Sequence, residues 1–154
     1  MSVQTGAGPG AVPDDAGNAI VEFLAVTVLL LIPLLYLVLL LGRLQAATFA
    51  ADGAAGEAGR VYAQASTTDL GSVRAVAAVG IALRDQGFEA VDPAASLELE
   101  CSSVPCLEPG SDVAATVTFA VRLPFVPSFV ASVVPLEIPV RGDAVAPVDE
   151  FRGR

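Results

Sequence analysis

Few residues in this chain could do chemistry, and the most conspicuous is a lone acid. Glu22 follows Asn18-Ala19-Ile20-Val21 and precedes a run, Phe23 to Leu41, that contains no charge. A carboxylate at the centre of a bilayer costs about 2.5–3.5 kcal/mol, and less near the interface. Two readings of Glu22 follow. In one it rests among the headgroups, where it is tolerated and suits the N-terminal pole of a helix. In the other it is held for a cation that another chain supplies within an assembly. The second chemical pair is Cys101 and Cys106, separated by Ser-Ser-Val-Pro. Outside the cytoplasm they would form a short disulfide; inside it they would be two thiols or half a metal site. The chain has no His and no second Cys pair, so an ordinary zinc site cannot be completed and no metal or cofactor is expected. Lys is absent too, which removes a hydroxyl–lysine dyad, and Cys101 has no imidazole to activate it. Glu98 and Glu100 share one face of an alternating segment, where a solvated strand explains them. No enzyme activity and no small-molecule substrate are expected.

The segment around Glu22 must be a membrane helix. About 20 apolar residues rising 1.5 Å each cross a hydrocarbon core of about 30 Å. With no water to satisfy the backbone, such a segment must be helical. Pro33 lies mid-span and deprives a carbonyl one turn upstream of its donor, which predicts a kink or soft spot there. A secretory signal cut near Thr48-Phe49-Ala50 is the rival reading. It would need a basic start and a shorter apolar core, and this segment has neither.

The spacing predicts an α+β domain beyond the span. Residues 1–17 form a polar leader rich in Gly, Pro and Ala, without apolar periodicity. Residues 18–42 are the transmembrane helix, and 43–88 a helical, extracytoplasmic region. Its first part is Ala-rich and carries Gly53, Gly56 and Gly59, which suggest close packing, flexibility or a break near Gly53. Glu57 and Arg60 are spaced as a helical ion pair. A second helix over Thr67–Gly87 has Thr68 or Asp69 as its cap and Gly87 as its stop. Val73, Val76, Ala77, Gly80, Ile81 and Leu83 are its expected apolar face. Residues 89–148 change texture to strands at Ser96–Cys101, Asp112–Phe125 and Pro135–Val148, with Pro139 suited to an edge. Pro109-Gly110 and the link Pro124 to Pro135 separate them. The expected arrangement is a small three-stranded antiparallel sheet lying on a helix, since so small a sheet needs a partner layer. Residues 149–154 are a polar tail.

The 154 residues carry a formal net charge of −9. That charge is repelled by nucleic-acid backbones and anionic headgroups, and no basic patch with interleaved aromatics appears, so nucleic acid is not an expected partner. One charge signal concerns orientation. Arg43 and Arg60 follow the span and no Arg precedes it, which by the positive-inside rule places the C-terminal part in the cytoplasm. The isolated Cys pair favours export instead.

The order Gly17-Asn18-Ala19-Ile20-Val21-Glu22-Phe23 resembles the processing site of type IV prepilins. The wider texture, with a Leu-rich span, Gly42-Arg43, the stretch Glu57-Ala58-Gly59-Arg60 and a closing IPVRGDAVAPV, is similar to the TadE-like pseudopilins of tight-adherence pilus systems. The resemblance implies a minor pilin cut between Gly17 and Asn18 by a prepilin peptidase. Glu22, with Phe23, would then be the recognition and assembly position, its carboxylate meeting the N-terminal amine of a neighbouring subunit. It also implies partners among other pilin subunits and pilus assembly membrane proteins, and a place in the bacterial cytoplasmic membrane. The C-terminal domain would be extracytoplasmic, with incorporation into a cell-surface pilus. An unprocessed, single-pass anchored domain that binds another envelope protein is the alternative.

Overall fold

A computed structural model of the chain describes residues 15–122 and 137–151, with side chains from residue 18 onward. Its elements run α1 (Asp15–Ala63), α2 (Thr68–Asp85), α3 (Pro93–Ser96), β1 (Leu97–Cys101), β2 (Asp112–Arg122) and β3 (Glu137–Pro147). The leader up to residue 14, the Pro-rich link and the last three residues of the tail lie outside the described residues. The chain divides into two compact units, Met1–Val38 and Leu39–Arg154.

In the first unit α1 is apolar and uncovered. Its aliphatic side chains from Ile20 to Val38 are exposed, as expected of a surface whose solvent is lipid. The helix continues through Pro33.

In the second unit the alanine-rich half of α1 becomes the core. Ala47, Ala50, Ala51, Ala54, Ala55 and Ala58 are buried in one core with the inner face of the sheet, and Tyr62 joins that core beside Gly71 of α2. The break expected near Gly53 is absent, because burying this alanine stripe offsets the weak helix propensity of the glycines. Gly59 faces the sheet, where an added Cβ would lie 3.3 Å from the Cβ of Ala146. Gly53 and Gly56 have nothing within 4 Å and lie on the open side.

The sheet has the order β1-β2-β3, antiparallel throughout. Alternation along β2 buries Val113, Ala115, Val117, Phe119 and Val121, as a half-buried strand requires. Register places Val117 between Leu97 and Gly142, and Ala115 between Leu99 and Ala144. Small residues therefore occupy the centre of the inner face, under the helix, and larger ones its margins. Pro139 lies on β3, an edge strand, opposite Ala120.

Helix α2 departs from expectation in two respects. Its cap is Thr67, one residue earlier than expected, whose hydroxyl accepts from the Leu70 N–H at 3.3 Å. Its buried line is Gly71, Ala75, Val79 and Leu83, so of the expected apolar face only Leu83 is fully buried. The reason is that Tyr62 of α1 packs where only a glycine fits: a Cβ on Gly71 would approach its ring to 2.9 Å. The stop at Gly87 holds. Gly87 has φ +75°, Phe88 N–H donates to the Leu83 carbonyl and Gly87 N–H to that of Arg84, both at 2.9 Å. This is a Schellman closure, with Leu83 and Phe88 supplying its apolar contact. The turn α3 was not expected; Asp92 caps it and Pro93 opens it, a start signal overshadowed by the strand pattern that follows.

Candidate functional site

Gly17, Asn18, Glu22 and Phe23 all fall in the opening turns of α1. Asn18 and Glu22 are one turn apart on one side of that helix. Both are exposed, and the Phe23 side chain is 70% exposed. Glu22 forms no ion pair among the described residues. Asn18, Glu22 and Phe23 belong to the one helix among the described residues that is long and apolar enough to cross a membrane, with none of its apolar window buried. The geometry is compatible with single-pass anchoring. Pro33 has no N–H, so the Leu29 carbonyl lacks its helical donor within the exposed apolar stretch of α1.

Arg43, the first cation after the apolar run, is a topological signal in the sequence and part of the texture that carries the resemblance. It is also structural. Its Nη2 donates to the Gly87 carbonyl at 2.9 Å, and its guanidinium lies 4.2 Å from the Phe88 ring centroid. Phe88 in turn packs on Phe119, with centroids 5.1 Å apart. The cation therefore sits at the negative pole of α2 and on an aromatic face, both favourable. The contact joins residues 44 apart in sequence, so no local pattern could reveal it.

Cys101 and Cys106 are joined, with Cα atoms 5.2 Å apart. The bridge closes the turn that leaves β1, and Ser102 locks its base: Ser102 N–H donates to the Asp112 carbonyl at 2.9 Å and Asp112 N–H to the Ser102 hydroxyl at 2.8 Å. Cys101→Ser should lower stability by about 2 kcal/mol or less, since the closed loop is short. Thermal melting with and without reductant checks this; an unchanged melt under oxidising conditions contradicts it.

Among the acids, Glu57 is paired with Arg60, whose Nε donates to Oε2 at 3.0 Å. The hydrogen bond from Arg60 holds the Glu57 carboxyl below its ordinary range. This exposed pair adds a little stability above the ordinary carboxylate pKa, which is lost as pH falls through the depressed value. Glu98 and Glu100 project from the open face of β1 beside Thr116 and Ala114. Among the described residues no cluster of three metal-ligating side chains forms.

No family model, no curated protein and no solved structure matches this chain.

Proposed function

We propose that this chain is a TadE-like pseudopilin, a structural subunit that a prepilin peptidase cuts after Gly17 and that joins the assembly of a tight-adherence pilus. One observation carries the reading. Glu22 is the sole charge between Asn18 and Leu41, it stands five residues beyond Gly17, and it has no ion-pair partner among the described residues. Cleavage would create an α-amino group at Asn18. In low dielectric that amine and the carboxylate of a neighbour neutralise one another, and a wrong axial register leaves both unpaired. The pair thus selects register while the apolar helices supply the area. In this reading the bridged domain lies outside the cytoplasm, and Arg43 is retained for the Gly87–Phe88 contact, not for orientation.

The absence of Lys makes a direct test available. A carbodiimide joins carboxylates to amines without a spacer, and the only amine of this chain is its N-terminus. Assembled material should yield a Glu22-to-N-terminus peptide bridging two chains. If Glu22 couples to no amine in assembled membranes, the register role fails. The anchored-domain alternative draws on one observation, the lack of any Arg before the span; it predicts an intact leader and no such bridge.

A further inference from the structure

Helix α2 carries a second apolar line that its own fold leaves open. Val73 is 68% exposed, Ile81 54% and Leu70 37%, and Ala77 between them is exposed as well. The steps of three and four residues place Leu70, Val73, Ala77 and Ile81 along one stripe. It is distinct from the buried line Gly71, Ala75, Val79 and Leu83. Elsewhere among the described residues of the second unit, beyond Leu39 and Leu41 at the end of the apolar run, the large exposed aliphatics and aromatics, Phe49, Val104, Val145 and Phe151, stand singly.

We infer that this stripe is where two copies of the chain pair, α2 against α2, parallel and in register. The occupant is chosen by charge. Asp69 and Arg74 flank the stripe on opposite sides, are exposed, and form no ion pair within the chain among the described residues. They are five residues apart. That is the offset at which flanking positions of two parallel, in-register helices face one another, so each Asp69 meets the Arg74 of the other copy. The next such pair down the same flanks is Val76 with Ile81, which extends the apolar contact. The seam itself is Leu70, Val73 and Ala77, each opposite its own mate. It ends at Gly80, which Pro93 of α3 covers: a Cβ there would lie 3.1 Å from the Pro93 Cγ. An antiparallel pair would not bring Asp69 and Arg74 together. One helix pair is a small interface, and anchoring in a shared bilayer raises the effective concentration that such a contact needs. The pairing does not depend on the pilus reading.

The test is cysteine cross-linking of the full chain in membranes under mild oxidation, with the native cysteines already bridged. Val73→Cys and Ala77→Cys should each give covalent dimer at about ten times the level of Ser72→Cys, an exposed position off the stripe, for a contact favoured by a modest free energy. Dimer at the Ser72→Cys level from both overturns the proposal; dimer from Ala77→Cys alone overturns the parallel register. In the Ala77→Cys background, Asp69→Arg or Arg74→Asp alone should cut the dimer severalfold, and the two together should restore it. A double variant no better than the singles contradicts the charge pairing.

Discussion

Gly142→Ala is expected to destabilise the domain by about 3 kcal/mol or more, at or above the upper end for overpacking. The cause is backbone against backbone. Gly142 is buried at the centre of β3, opposite Val117. A Cβ there would lie 2.6 Å from the Ala51 carbonyl oxygen, and closer still to the Ala51 carbonyl carbon and the Asp52 nitrogen. No side-chain rotation relieves such a contact. Either α1 lifts from the sheet or the strand bends away, and both open the alanine core. A domain of about 100 residues is held by about 5–15 kcal/mol, so Gly142→Val should leave no folded population at growth temperature. Gly53→Ala is the opposite case, with open space around it. It should stabilise α1 by up to about 1 kcal/mol. Denaturant melts of the full chain in detergent, followed by circular dichroism, check both signs. Equal effects at Gly142 and Gly53 would contradict the helix-on-sheet packing.

Glu22→Ala has the largest expected effect on assembly and almost none on the fold. The side chain touches nothing that the domain needs, and its removal makes the span more apolar, so insertion should be unchanged. In the assembled state the loss leaves a terminal amine without its carboxylate. Removing one member of a buried pair costs about 3–5 kcal/mol, which is a fall of more than about a hundredfold in the assembly equilibrium. Glu22→Gln should fail almost as badly, since an amide keeps the size but not the charge. Comparing the membrane pool with the assembled fraction measures this. Normal incorporation of Glu22→Ala would contradict the register role.

Much of the architecture was legible because it depends on composition and period. The uncharged run after Glu22 marks, by length and composition alone, a helix able to cross a membrane. Strict alternation over Ser96–Cys101 marks β1, the β-branched run Asp112–Phe125 contains β2, and Gly142 falls in phase with Val140, Ala144 and Ala146 on the inner face of β3. That phase was the available signal that a helix backbone passes there. The phase of α2 was not legible. Val73 and Ile81 are more apolar than Gly71 and Ala75, yet the small residues face inward because Tyr62 and the end of α1 leave room for nothing larger. The role of Arg43 was hidden for a different reason. Its partners, Gly87 and Phe88, are brought to it by the turn between two helices, and nothing near Arg43 in the chain marks them. Glu22 is legible as an anomaly in sequence and remains one in the fold, where no cation pairs with it among the described residues.

The mature N-terminus tests the central claim most directly. Intact-mass measurement of the chain isolated from membranes of cells with an active prepilin peptidase should show Asn18 as the first residue, with the Gly17 variant Gly17→Val keeping its leader. A wild-type chain that retains residues 1–17 never exposes the amine that Glu22 is held to meet. It would leave a tethered domain in place of a pilus subunit.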